Sequence, residues 1–174
     1  WIHQSISTKS DAITNQVLIA SKLPIEPLQL PPTSFDEHFS SNVLPIKLPD
    51  IDLNIVGMRV PAYSNEQIGL LQKSWQWLEG VAALLKSSRS VLVGDLNTSI
   101  GRQDIPGLTL NKIIQSGWTH GNADCPPTYF GHKGRTSAID HVLATPTTNI
   151  DRVMTVLSTG RYDLAGKPES ISDH

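Results

Sequence analysis

The sequence predicts an α/β fold, and three observations carry that reading. Residues 53–60 are dense in β-branched and apolar side chains and read as a strand. An amphipathic helix follows between 64 and 85, and Ser90–Asp95 then reads as a buried strand. Strand, helix and strand in succession make a crossover unit, the building block of α/β architecture. The 174 residues suffice for one domain with a real core, and no repeat or domain boundary interrupts them.

Taken in order, residues 1–11 are polar and unpatterned apart from Ile2 and Ile6, and 12–20 read as a strand through Ile13, Val17, Leu18 and Ile19. Pro24, Pro27, Pro31 and Pro32 exclude helix from 23–32 and suit an extended or edge segment. Residues 35–41, with two acids, two aromatics and His38, read as a solvated loop. Val43–Leu48 and 53–60 are expected as two strands joined by a Pro49-Asp50 turn. Ser64 and Gln67 fit a capping box, and Ile68, Leu71, Trp75, Leu78, Ala82 and Leu85 recur at steps of three and four. Trp75 and Trp77 are assigned to the core.

Val91, Leu92 and Val93 then run into Gly94, which lets the backbone turn without a Cβ clash. Asp95 and Asn97, two positions apart, are presented to one side at the strand's carboxyl end, where open α/β sheets bind ligands. A shorter helix is expected over 108–116, after Pro106-Gly107 and before Gly117. Residues 118–136 read as a Gly/Pro/His-rich loop carrying His120, Cys125, Tyr129, His132, Lys133 and Arg135. Residues 138–145 and 150–158 are expected as strands, 159–171 as a loop, and the chain ends Ser172-Asp173-His174.

Composition narrows the functional classes. A net charge of −2 and a pI near 6.3 provide no basic excess for general polyanion binding. Cys125 is the single cysteine, which excludes an intrachain disulfide and a thiolate zinc cluster. The spacing of His120, Cys125 and His132 fits no zinc pattern. No apolar run is long enough to span a membrane as a helix. No Walker or dinucleotide-type glycine loop is present, and compartment is not legible. Asn97-Thr98-Ser99 matches a glycosylation acceptor, but its place at a strand end argues against that use.

Three polar sites stand in order between apolar strands: Asp95 with Asn97, then Asp140, then Asp173 with His174. A carboxylate holds a metal or moves a proton, and a carboxamide donates to a phosphate oxygen. Val-Gly-Asp-Leu-Asn, ending at Asn97, resembles the Gly-Asp-x-Asn motif of the endonuclease/exonuclease/phosphatase superfamily, the DNase I-like fold. Ile139-Asp140-His141 is similar to its Ile-Asp strand, and Ser172-Asp173-His174 to its closing Ser-Asp-His. Arg59-Val60-Pro61 and Thr128-Tyr129-Phe130 resemble two further stretches of the family, so that the likeness runs from about residue 12 to 174.

That resemblance implies a DNase I-like α/β sandwich: mixed, largely antiparallel sheets flanked by helices, here as a single partial domain over 1–174. The family's leading strands, with their Asn and Gln-Glu metal ligand, and the strand after Ser-Asp-His have no counterpart in this sequence. The implied function is phosphodiester or phosphomonoester hydrolysis by an activated water, dependent on Mg²⁺ or Mn²⁺. His174 is implied as base or phosphate contact, and Asp140 as the carboxylate that orients it. Asp95 is implied to handle a proton or a metal, Asn97 to donate to the phosphoryl oxygen, Asp173 to bind the metal and Arg59 to clamp phosphate. His141, next to Asp140 on a strand, faces the other way and is read as packing or support. The implied substrates are a nucleic acid, a phospholipid head group or an inositol phosphate. The alternative is a non-catalytic binding module of the same fold, or an inactive fragment of such an enzyme. The chain alone is expected to be nearly or wholly inactive, and the sheet edge that missing strands would bare is expected either to self-associate or to be covered by a missing N-terminal segment.

Overall fold

The computed structural model describes residues 4–7 (as backbone), 17–131, 134–160 and 162–165. Strand β1 (Gln4–Ser7) pairs antiparallel with β2 (Leu18–Ser21). Edge strand β3 (Glu26–Pro27) leads to a one-turn helix α1 (Glu37–Ser40), then to β4 (Val43–Leu48) and β5 (Leu53–Arg59). Helix α2 (Ile68–Leu85) crosses to β6 (Ser90–Asp95), and helix α3 (Ile105–Gln115) follows. Short strands β7 (Thr119–His120), β8 (Tyr129–Gly131) and β9 (Arg135–Ser137) precede β10 (Asp140–Ala144). The hairpin strands β11 (Ser158–Thr159) and β12 (Tyr162–Asp163) come last.

Among the described residues one sheet has six strands in the order β3-β4-β5-β6-β10-β7. Its β5–β6 pair is parallel, as the α2 crossover requires, and its other pairs are antiparallel. The mixed, largely antiparallel sheet expected from the sequence is therefore present. Val56, Met58, Leu92 and Leu143 line its inner face and pack with Trp75, Leu78, Val81 and Ala82 of α2 and Leu110 and Ile113 of α3. Leu44, Ile46 and Leu48 of β4 form a second cluster, covered by Val17, Ile19, Leu23 and Ile25.

Several elements differ from expectation, each for a physical reason. Residues 37–40 are helical because Asp36 caps the turn, its Oδ1 accepting from the His38 N–H at 3.0 Å, and Phe39 is fully buried beneath it. The second helix begins as a 3-10 turn over Asn65–Gln67, where Gln67 Oε1 accepts from the Ser64 N–H at 3.2 Å. Trp75 is core as read. Trp77 is only partly buried, its edge against Phe39 and its indole N–H donated to the Pro31 carbonyl at 2.9 Å. Helix α3 starts three residues before the expected position, since Asp104 caps it and proline fits a first helical turn. Residues 118–136 hold three short strands, and Trp118 is buried. Residues 151–157 form no strand. Burial alternates along them all the same, with Ile150 and Val153 packed over Gly121. Of the first expected strand, 12–16 lie outside the described residues.

Gly94 decides how closely β5 and β6 approach. Its φ is +138°, and a Cβ there would lie 1.9 Å from the Met58 carbonyl oxygen. Gly94→Ala is expected to cost about 3 kcal/mol or more, or to prevent folding. Gly80→Ala, on the exposed face of α2 with nothing within 4 Å of the added methyl, is expected to gain up to about 1 kcal/mol. Urea unfolding of the two variants measures both effects.

Candidate active site at the strand ends

Sheet register assembles the site. Arg59 of β5 lies directly beside Asp95 of β6, and Asp95 lies directly beside Asp140 of β10. Cross-strand neighbours share a face, so one cation and two carboxylates form a row across three strand ends. Met58, Gly94 and His141, one position along, belong to the opposite, helix-packed face.

Asp95 is the hub. Its Oδ1 accepts from the Asn97 backbone N–H at 2.8 Å. Its Oδ2 meets the Asn97 side-chain amide at 3.2 Å and Arg59 Nε at 3.3 Å. Asn97 sits at φ +50°, in the left-handed region that asparagine tolerates better than most residues. Its amide nitrogen also donates to the Val60 carbonyl at 2.7 Å. Both amide hydrogens are thus engaged, and in this arrangement Asn97 ties Asp95 to the end of β5. A donor to a phosphoryl oxygen would have to leave one of these partners. Arg59, read from the sequence as a phosphate clamp, spends Nε on Asp95.

Asp140 is held through its backbone. The buried Thr128 hydroxyl accepts from the Asp140 N–H at 3.1 Å and from the Ile139 N–H at 3.3 Å. The buried Asn122 amide donates to the Asp140 carbonyl at 2.8 Å, and its oxygen accepts from the Val142 N–H at 2.8 Å. Sequence reasoning assigned Asn122 no role and Thr128 no hydrogen bond. The available signal was a short polar residue in the Thr128-Tyr129-Phe130 stretch just before the aspartate strand.

Behind the row, His141 is 2% exposed. Its Nε2 lies 2.9 Å from the Thr98 carbonyl and its Nδ1 lies 3.0 Å from His120 Nε2. A carbonyl only accepts, so His141 carries its proton on Nε2, and His120 Nε2–H donates to the bare Nδ1. Burial pushes the pKa of both imidazoles below the usual value, and the neighbouring His141 depresses His120 further. The Thr98 carbonyl, Asp140 and Asp95 work in the opposite sense on His141 without overcoming burial. The expectation that His141 supports rather than touches the site agrees with this geometry.

Arg59, Asp95, Asn97 and Asp140 are therefore brought together, while Asp173 and His174 lie outside the described residues, as do His3, His132 and Lys133. Cys125 donates weakly to the Val153 carbonyl at 3.5 Å. A hard divalent cation takes carboxylate oxygens, and Asp95 and Asp140 supply these on adjacent strands. Among the described residues no three His, Cys, Asp or Glu side chains cluster to hold a metal, so further oxygen ligands would have to join them. On the helix side a cavity of about 540 Å³ runs from Val60, Pro61 and Asn97 along Leu71 and Trp75 to Ile105. No helix among the described residues is long and apolar enough to cross a membrane.

The model of the "Endonuclease/Exonuclease/phosphatase family" matches residues 4–174. No curated protein matches. Among solved structures, the 3′ phosphatase NExo from Neisseria bound to product DNA hairpin superposes with a TM-score of 0.63 at 14% identity, over 82% of this chain and 66% of that one. The 3′-5′ exonuclease NExo from Neisseria meningitidis gives a TM-score of 0.64 at 15% identity, over 82% and 67%. The endonuclease domain of TRAS1, a telomere-specific non-LTR retrotransposon, gives 0.59 at 14%, over 82% and 67%. The chain thus spans about two thirds of the length of each, and the fold is DNase I-like.

The histidine pair makes stability depend on pH. Both groups have native pKa values below the ordinary 6.5, so below that pH the unfolded chain binds more protons than the folded one. Their contribution is complete above about pH 6.5 and is lost as the pH falls from there toward the native values. Urea midpoints are expected to be lower at pH 5.5 than at pH 7.5. The difference should shrink in a His120→Gln, His141→Gln double variant.

Proposed function

The chain belongs to the endonuclease/exonuclease/phosphatase family, and from that premise we propose that it is a metal-dependent phosphoesterase whose substrate is a nucleic acid. The observation that carries the proposal is the Arg59–Asp95–Asp140 row across three strand ends. The choice of nucleic acid draws on NExo, which is bound to a product DNA hairpin in one of the similar structures.

Hydrolysis replaces a P–O ester bond with one to water. It needs a group to take the water's proton, positive charge on the phosphoryl oxygens, and help for the departing oxygen. Asp95, held by Asn97 and Arg59, faces the reacting water or a metal. Asp140 orients His174, which serves as base or phosphate contact. Arg59 adds a fixed positive charge beside the phosphoryl oxygens. Mg²⁺ or Mn²⁺, held by Asp95 with Asp173, would supply further neutralisation of that charge. The chain on its own is expected to be nearly or wholly inactive, since the family's Gln-Glu metal ligand has no counterpart in this sequence. A non-catalytic binding module is the second reading, favoured by the internal pairing of Asp95 with Arg59.

The test uses the protein expressed from its whole gene, with short DNA strands, a phospholipid, an inositol phosphate and bis(p-nitrophenyl) phosphate as substrates. Cleavage of DNA that needs Mg²⁺ or Mn²⁺ is expected, falling about 10²–10⁴-fold in an Asp95→Ala variant that remains folded. Undiminished, chelator-resistant turnover in Asp95→Ala refutes the assigned roles. DNA binding without turnover establishes the second reading, and preference for either of the other substrates replaces nucleic acid.

A further inference from the structure

We propose that His141 is a positioning residue for this site: from the helix-packed face of the sheet it holds the turn that carries Asn97, and His120 holds His141. The kinetic consequence rests on the phosphoesterase reading, whereas the structural consequence does not.

The turn after β6 is tight and unusual. Asn97 takes a left-handed conformation, which asparagine tolerates but which is less favoured than the ordinary regions, and such conformations persist when the surroundings determine them. Three tethers do so here. The Leu96 N–H donates to the Ile139 carbonyl at 2.8 Å, the Asn97 amide reaches the Val60 carbonyl at 2.7 Å, and the Thr98 carbonyl receives His141 Nε2–H at 2.9 Å. The first two tie the turn to the strands on either side of β6. The third ties it to the layer beneath. Thr98 is fully buried, so without His141 its carbonyl has no water to turn to, and an unsatisfied buried acceptor drives the turn to rearrange.

Histidine suits this task for two reasons. The ring is rigid and two-ended, giving one hydrogen bond to Thr98 while accepting another from His120 at 3.0 Å. It is also held neutral by burial. An arginine placed there would bury a charge on the helix-packed face of the sheet. What the tether protects is orientation. Asn97 supplies two of the donors on the Asp95 carboxylate, so a loosened turn lets that carboxylate rotate away from the reacting phosphate.

The test compares His141→Leu, which keeps bulk and removes the N–H, with His141→Gln, whose amide nitrogen can reach the place of Nε2. In the whole protein His141→Leu is expected to lower kcat at least about 10-fold with little change in KM, and His141→Gln to recover to within about 3-fold. Hydrogen exchange of the Asn97 backbone amide, bonded to Asp95, is read alongside. Exchange is expected to be about 10-fold faster in His141→Leu and near wild type in His141→Gln. A wild-type kcat and protected Asn97 amide in His141→Leu overturn the proposal, as does a stably folded His141→Gln that recovers neither. If the wild type shows no turnover, the phosphoesterase reading fails, and the exchange data alone decide the positioning role. If His141→Leu does not fold, His120→Phe replaces it: faster Asn97 exchange supports the proposal and unchanged exchange overturns it.

Discussion

The register of β5 against β6 is the constraint on which this site depends. Parallel pairing sets Arg59 beside Asp95, and antiparallel pairing of β10 sets Asp140 on the other side. A slip of one residue would turn Arg59 to the helix-packed face and leave Asp95 without its cation. Gly94 helps fix that register, because its missing side chain is what lets the Met58 carbonyl come so near. The glycine of the Gly-Asp-x-Asn motif is therefore a matter of backbone clearance, and its asparagine ties the aspartate to the end of β5.

The electrostatics of the row set its preferences. Two carboxylates in neighbouring strands repel one another, and one guanidinium offsets only part of that repulsion. The side-chain accessibility of Asp95 is 11%, so water screens it little. An anion approaching such a row needs more positive charge than Arg59 brings. A hard cation or a protonated imidazole would each provide it.

Much of this was legible in the sequence, and the parts that were not share a cause. The crossover helix, its capping box and the strands flanking it were readable because long periodic segments announce which face is buried. Asp95, Asn97 and Asp140 were readable as a group from their positions at strand ends. The single helical turn at 37–40 is too short for any period to show, and it rests on the Asp36 cap and the burial of Phe39. Residues 150–158 alternate, but alternation reports burial and not the presence of a pairing partner. The strands within 118–136 are two or three residues long and exist because neighbours hold them. The His120–His141 pair had no local signal at all. His120 lies opposite Leu143 in the sheet and thus diagonal to His141, a relation that only the β10–β7 pairing creates.

The parallel β5–β6 pair also says when the site can come into being. An antiparallel hairpin closes through a short turn, whereas these two strands meet only once the whole α2 crossover has been laid against them. Asp140 arrives later still in the chain, after α3 and the short strands. The loop-closure entropy of both connections must be met before Arg59, Asp95 and Asp140 can stand in one row. A collapsed intermediate that has formed only the β4–β5 hairpin carries the arginine without either carboxylate. The site thus needs two long-range pairings at once, and a chain lacking either one carries no such row.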